Sequence, residues 1–544
     1  MKATTKWLSK AFLLIIAVLF LNFILKDVFT QVEEEPKADF IAHGGGEVLR
    51  IVSGSENKEL EPMLKEFAEK EDLTIEMDYQ GSLDIMRLLE SKDIPYDAVW
   101  PASSLWLNMG DTHHQLKHVE STSMSPIGFG IKKSLAEKLG LVGRDDVTIE
   151  ELVGLIKQDK LKFAMTSATQ SNSGASAYLG FLTAMAGKTK DVLTADDLNK
   201  PQVQEDIKTL LSGVNRSSGS SNWLVDLFLK GNYDAMVNYE TLLIQTNQKL
   251  TEKGREPLYI VYPKDGLAIS DSPLAFISKE DKQKEAAFER LQNYLLSDEG
   301  QANIEQTGRR SAYGQVSKGN QHIFNKDWGL DLDRVISPIK YPDAKVIMQA
   351  LNQYQTQFKK PALTFYVLDY SGSMSGEGQE QLTKAMEQVL IPENARKNLL
   401  QGTPQDKTVV IPFSNGVFDV SKADGNGEAL IALNNKVANL ETQSGTHLYD
   451  ALNYTLDLIN TEYRSYLNQY TPMIVILSDG MANDDNVKFN QYYKQLNMDI
   501  PIFSIMFGDA QEDQLNELAK LSNGRVFDGR QNMLKAFQTV KGYN

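Results

Sequence analysis

From residue 48 to about 339, short apolar runs alternate with longer stretches in which apolar residues return every three or four positions. The runs suit buried strands and the stretches suit helices that cover them, so the pattern predicts α/β domains on parallel sheets. Leu49, Ile51 and Val52 mark one strand, followed by Ser53-Gly54-Ser55-Glu56-Asn57 and a helical pattern over 60–68. A second strand over 73–77 leads through Tyr79-Gln80-Gly81-Ser82 into a helix with Ile85, Leu88 and Leu89 on one face. The alternation resumes beyond 360, where 363–368 and 473–477 are strand-like apolar runs.

Residues 1–30 follow another pattern. Lys2, Lys6 and Lys10 precede an apolar stretch over 11–25, interrupted by Asn22 and closed by Lys26. Trp7, Leu8, Val28 and Phe29 extend it to spanning length when the flanking lysines snorkel to the interfaces. No small-residue cleavage pattern follows Leu25, so an uncleaved, single-pass membrane anchor is expected, with a cleaved signal and secretion as the alternative. The leading positive charge holds the amino terminus in the cytoplasm and exports the rest. Glu33-Glu34-Glu35-Pro36 and Gly44-Gly45-Gly46 make 31–46 a solvated tether.

A chain of 544 residues exceeds one ordinary core, and 42% apolar with 24% charged residues is a globular composition. The net charge of -16 argues against a nucleic-acid partner, because phosphate backbones require basic patches. There are no cysteines, which removes disulfides, thiolate metal sites and cysteine nucleophiles together. Ala186-Gly187-Lys188-Thr189 ends like a phosphate loop, but Leu182 stands where its first glycine must be. His113, His114 and His118 read as a surface cluster, no histidine pair has zinc-peptidase spacing, and no nucleophile elbow occurs. An enzyme is not expected.

The strand over 363–368 runs directly into Asp369-Tyr370-Ser371-Gly372-Ser373, offering a hard divalent cation one carboxylate and two hydroxyls. Thr446 lies in the glycine-bearing loop Gln443-Ser444-Gly445-Thr446-His447-Leu448, and Asp479 follows the strand over 473–477 in Ser478-Asp479-Gly480. In order and spacing these segments resemble the von Willebrand factor A domain and its metal-ion-dependent adhesion site, from about Lys360 onward. Ile502-Phe503-Ser504-Ile505-Met506 and Gly524-Arg525-Val526-Phe527 look like its fifth and sixth strands. The resemblance implies that Asp369, Ser371, Ser373, Thr446 and Asp479 hold Mg²⁺, or Mn²⁺ or Ca²⁺, and that the ion takes an Asp or Glu carboxylate from a protein partner. Ser478 departs from the threonine frequent in the family, outside the direct ligands. His447 reads as an outer donor or a plain exposed histidine, and Asp484-Asp485 as caps of the next helix.

In the middle region Ser53-Gly54-Ser55, Gly81-Ser82, Ala102-Ser103-Ser104, the stretch 166–174 and Asn238-Tyr239-Glu240 each follow a strand-like segment. Taken singly, each reads as a helix cap. As a series, with Tyr96-Asp97-Ala98-Val99-Trp100 and Gly308-Arg309, they resemble the bacterial extracellular solute-binding proteins of the type II periplasmic-binding-protein fold. That resemblance implies two lobes, 47–124 with about 273–340 and 127–265, crossed near 125–129 and 268–275. Ser53, Ser55, Ser82, Ser103, Ser171, Ser173 and Tyr239 would then line a cleft for a small polar or oxyanion solute.

The expected fold class is α/β, a bilobal periplasmic-binding-protein-like domain over 47–340 followed by a Rossmann-like von Willebrand factor A domain over 360–544. An N-terminal transmembrane helix precedes them and a linker over 341–359 joins them. The expected function is a membrane-anchored, extracytoplasmic binding protein. A transport-associated solute receptor with an accessory adhesion domain and a scaffold subunit of a metal-dependent enzyme complex are the alternatives.

Overall fold

The computed structural model describes residues 38–397, 400–479, 482–506, 512–530 and 533–542. The anchor expected over 1–30 and the first part of the tether lie outside the described residues, among which no helix is long and apolar enough to cross a membrane. The last part of the tether is structured: Phe40–Ala42 forms an edge strand against Leu73–Tyr79, because Phe40 and Ala42 bury into the adjoining core.

The first lobe is a six-stranded sheet in the order Phe40–Ala42, Leu73–Tyr79, Glu47–Ser53, Ala98–Trp100, Pro273–Ile277, Leu116–Ser121. Leu73, Ile75 and Met77 alternate inward along their strand, as a face covered by helix requires. The second lobe is ordered Leu258–Val261, Ser123–Lys132, Ala235–Tyr239, Phe163–Thr166, Val214–Ser218 along its main path. Both sheets are mixed, not parallel as expected. Strands followed by a returning helix pair in parallel, whereas Pro273–Ile277 and Ser123–Lys132, on which the chain passes between lobes, run against their neighbours.

The two expected crossings lie side by side, with Ile269–Ser270 pairing Pro126 and Ser125. A third passes through Arg310–Ser311, which pairs Met124 and Ser123. Residues beyond it therefore do not stay in the first lobe: Phe324, Leu330 and Ile339 enter the core of the second. The segment expected as a linker is also ordered. Asp343 caps the helix Ala344–Gln353, which continues into the wider turn Tyr354–Phe358, and Val346, Ile347, Ala350, Leu351, Tyr354 and Phe358 bury against the second lobe.

The carboxyl-terminal sheet is ordered Ser421–Asp424, Lys407–Phe413, Ala362–Asp369, Thr471–Ser478, Ile502–Met506, Arg525–Asp528, parallel throughout except for Ser421–Asp424. Ala362–Asp369 is buried along its whole length, with Leu363, Phe365 and Val367 in one core and Tyr366 and Leu368 in the other. Helices cover both faces, which is why this strand reads as an apolar run without alternation.

Candidate functional site

Ala362–Asp369 and Thr471–Ser478 are adjacent, and the chain proceeds outward from them in opposite directions, so their following loops part and leave a crevice at the carboxyl ends. Asp369 is fully buried there. The Ser371 N–H donates to its Oδ1 at 2.8 Å and the Ser478 hydroxyl to its Oδ2 at 2.5 Å. The Ser371 and Ser373 hydroxyls stand 3.0 Å apart. The loop carrying Thr446 is tied in by backbone bonds: Gln443 N–H to the Tyr370 carbonyl at 2.7 Å, His447 N–H to the Ser414 carbonyl at 2.7 Å, and Asn483 N–H to the Thr446 carbonyl at 2.9 Å. Gly445 adopts φ +89°, and a Cβ there would meet the Asn415 side-chain oxygen at 2.3 Å.

Asp479 Oδ1 is buried without a hydrogen-bond partner among the described residues. Burial holds the Asp369 carboxyl above its ordinary range, and the Asp479 charge pushes the same way. Two converging carboxylates, one oxygen unpartnered, beside two hydroxyls form a donor set that a hard cation satisfies. Among the described residues no group of three or more His, Cys, Asp or Glu could hold a metal. His447 Nδ1 lies 3.3 Å from the Asp450 carboxylate. Asp485 bonds the Val487 N–H at the next helix start, whereas Asp484 accepts from Asp450 N–H at 2.8 Å. His113, His114 and His118 share no helix, and His118 pairs with Glu285 at 2.8 Å.

A cavity of about 410 Å³ opens between the lobes. The helices Ser82–Leu89, Asn172–Met185 and Ser221–Lys230 begin at its wall, and their N-caps Gly81, Ser171 and Ser220 make no side-chain cap bond among the described residues. Helices away from the cavity that begin at Thr148, Ser297 and Asp343 are capped by those side chains. The cavity is thus faced by the N-termini of three helices, the ends that carry positive helix-dipole charge.

Of the candidate cleft residues, Ser55, Ser82 and Ser171 line the cavity. The other four support it from behind. Ser53 accepts from the Asn57 amide at 3.1 Å, Ser103 caps Ser104–Gly110, and Ser173 bonds Thr166 and Ser221 at 2.7 Å each. Tyr239 accepts from Asn172 at 3.0 Å, and Asn172 accepts from Trp106 of the opposite lobe at 2.7 Å. Ser55 and Ser220 meet across the cleft at 3.3 Å, and Asn222 donates to the Ser55 carbonyl at 2.5 Å, so the lobes are closed on one another. Arg310 on the third crossing forks onto the fully buried Glu240 with two bonds of 2.8 Å, and Tyr262 donates to the same carboxylate.

Glu56, Asn172 and Ser220 line the cavity and were not foreseen. Glu56 is 8% exposed and its Oε1 has no partner among the described residues. Burial pushes its carboxyl up to about 7, although the charge of Arg309 pulls the other way. Arg309, donating to the Glu56 carbonyl, is itself pushed down to about 10 by burial. The only sequence signal for Glu56 was its place beside Ser55. Arg525, Phe527 and Gln538 of the carboxyl-terminal domain also line this cavity.

Residues 49–310 match the family model described as bacterial extracellular solute-binding protein, and residues 365–539 match the von Willebrand factor type A domain. A search of curated proteins gives no match. Among solved structures, a sulfate-binding protein from Mycobacterium tuberculosis is 16% identical over 56% of this chain and 96% of its own, with a TM-score of 0.39. A periplasmic binding protein from Actinobacillus pleuropneumoniae with fructose-6-phosphate bound is 15% identical over 57% of this chain and 98% of its own, at 0.42. A von Willebrand factor type A protein from Catenulispora acidiphila is 14% identical over 34% of this chain and 43% of its own, at 0.29.

Proposed function

We propose that this chain, a bacterial extracellular solute-binding domain fused to a von Willebrand factor type A domain, is a membrane-anchored binding protein that works outside the cytoplasm. Its cleft takes a small anionic solute and its metal centre docks a protein partner. The observation that carries the solute reading is the convergence of three helix N-termini without side-chain caps on one cavity. Helix N-termini and their aligned dipoles favour an anion. The unpartnered Glu56 oxygen adds a need for a hydrogen-bond donor, which a hydroxyl-bearing oxyanion such as a sugar phosphate supplies. A cavity of about 410 Å³ has the size of small organic ligand pockets.

At the other site Asp369, Ser371, Ser373, Thr446 and Asp479 would hold Mg²⁺, Mn²⁺ or Ca²⁺. When bound, the ion supplies a coordination position for an Asp or Glu of the partner. The protein's part is to hold the Asp369 carboxylate by both oxygens and to keep the Ser371 and Ser373 hydroxyls together. Both sites are read as binding sites and not as catalytic ones: the cavity serines bond to other hydroxyls, as Ser171 does to Ser221 at 3.1 Å, which suits a fixed wall.

Calorimetry of the full chain with inorganic sulfate, inorganic phosphate and glucose phosphate tests the solute reading. Binding is expected for at least one of them and loss of it in Ser220→Asp, whose carboxylate caps the helix and occupies the anion's place. Absence of heat with all three removes the reading. For the metal centre, capture of a partner from envelope extracts should be lost with EDTA and with Asp369→Ala; indifference to both ends the docking reading.

A further inference from the structure

Among the described residues the carboxylates of Asp39, Glu56, Asp84 and Asp528 line the solute cavity, and three of them are engaged elsewhere. Asp39 accepts from the Tyr79 N–H at 2.8 Å, Asp84 pairs with Arg87 at 3.0 Å and Asp528 with Arg530 at 2.7 Å. Glu56 is the most deeply buried of the four, and its Oε1 has no hydrogen-bond partner among the described residues.

The local sequence builds this position. At the end of Glu47–Ser53 the chain turns through Gly54 into the short helix Ser55–Leu60. The Glu56 carboxylate lies over Gly54, where a Cβ would stand 2.0 Å from Oε1, so glycine is what leaves it room. Asn57, the next residue, turns to the interior and donates to the Ser53 hydroxyl at 3.1 Å and the Trp100 carbonyl at 3.3 Å. Arg309, just before the third crossing, directs its guanidinium to the Glu56 carbonyl and the Thr307 hydroxyl. It thereby fixes the backbone of the turn and not Oε1. The contacts of Ser55 with Ser220 and Asn222 pin the same turn to a helix start of the opposite lobe. Of the other ionisable groups nearby, the Tyr239 hydroxyl is held protonated by burial and by the Glu56 charge, and Lys58 of the same turn lies 4.7 Å over the Tyr79 ring.

A buried acceptor in a cavity faced by helix N-termini gives the bound solute two different ends. The anionic end suits the N-termini. The carboxylate repels that end and bonds only to a group that brings a proton. A cavity of about 410 Å³ has room for both.

We propose that Glu56 sets the specificity of the cleft by accepting a hydrogen bond from a hydroxyl of the solute, so that hydroxylated phosphate esters are selected over esters of the same size without a hydroxyl. This rests on the reading of the cleft as an anion site and identifies the solute's second end.

Calorimetry of the full chain at pH 8, above the value of about 7 to which burial raises the Glu56 carboxyl, uses two matched pairs and one bare anion. The pairs are glucose phosphate with cyclohexyl phosphate and glycerol phosphate with propyl phosphate, and the bare anion is inorganic sulfate. Wild type should bind a hydroxylated ester about tenfold or more tighter than its match, the scale of a hydrogen bond to a charged group. Glu56→Ala should bring the pair within about twofold, weakening the hydroxylated ester and tightening the other. Glu56→Gln, which keeps an acceptor oxygen without the charge, should show an intermediate preference. It should also melt no lower than wild type without solute, so that its reduced preference reports the contact and not the fold. A preference that survives Glu56→Ala overturns the proposal. So does equal binding of both members of each pair by wild type, or binding of sulfate alone; with binding lost in Ser220→Asp, either result leaves the cleft reading standing. Absence of binding with all five probes overturns both.

Discussion

The proposed metal centre and the proposed solute cavity draw on the same architectural resource, loops at the carboxyl ends of strands, and turn it to opposite electrical ends. Around Asp369 the loops leave side-chain oxygens in excess: two carboxylates converge, and one oxygen of Asp479 has no partner among the described residues. Around the cavity they present the N-terminal ends of helices, at Gly81, Ser171 and Ser220, where no N-cap side-chain bond is made among the described residues. A strand end has no preferred ligand sign of its own. The sign follows from which groups the loop presents, and on the reading proposed above one region of this chain would take a cation and the other an anion.

The comparison breaks most visibly at Arg310. In the solute-binding domain the buried carboxylate of Glu240 is answered by Arg310 and Tyr262, whereas among the described residues no cationic side chain bonds Asp369. Arg310→Ala leaves Glu240 buried and uncompensated, and should cost about 3–5 kcal/mol in urea unfolding. A loss under 1 kcal/mol, on the scale of an exposed pair, would show that Glu240 is not dependent on its partner.

Glu56 sharpens the contrast, being a carboxylate on the wall of the cavity proposed to take an anion. Its carboxyl is raised from 4.5 to about 7 mainly by burial. Below pH of about 4 it is protonated in folded and unfolded chain alike, and has no effect on stability. Between about 4.5 and 7 the folded protein keeps a proton that the unfolded chain has released, so stability falls as pH rises, and the full penalty persists above 7. At about 1.4 kcal/mol per unit this is on the order of 3 kcal/mol. Glu56→Gln, without solute, should therefore be more stable than wild type near pH 8, with the gap closing toward pH 4 in denaturant titrations. A gap of the opposite sign would mean that attraction to Arg309 outweighs desolvation.

For the metal centre the corresponding measurement is thermal unfolding with and without Mg²⁺. A cation that binds only the folded protein stabilises by about 2.7 kcal/mol at a hundredfold excess over Kd. Wild type should show a rise of that kind, and Asp369→Ala none. An equal rise in both would place the ion elsewhere.

The strand that positions the proposed metal residues was legible because Ala362–Asp369 is one buried apolar run, and Asp369, Ser371 and Ser373 follow at alternate positions at its end. The cavity was legible only as a series of small polar loops. Ser53 and Ser103 belong to that series and yet spend their hydroxyls behind the wall, a difference that depends on which way a turn faces and not on its composition. The docked helix Ala344–Gln353 carries its periodicity openly in Val346, Ile347, Ala350 and Leu351, but its partner surface lies far back in the chain, so the segment passed for a linker. Arg525 was read only as part of a strand. Its place in the cavity depends on how two domains meet, for which a linear pattern holds no signal.

The smallest expected effect separates the two kinds of serine directly. Ser103 accepts from the Leu105 N–H and caps its helix, so Ser103→Ala should cost about 1 kcal/mol of stability while leaving solute affinity within error. Ser171 caps nothing by its side chain among the described residues, and its hydroxyl meets Ser221 at 3.1 Å on the cavity wall. Ser171→Ala should therefore cost less stability than Ser103→Ala and weaken glucose phosphate binding severalfold. Equal destabilisation with unchanged affinity in both would mean that Ser171 is a structural serine like Ser103, and that only the backbone N–H groups of these loops face the solute.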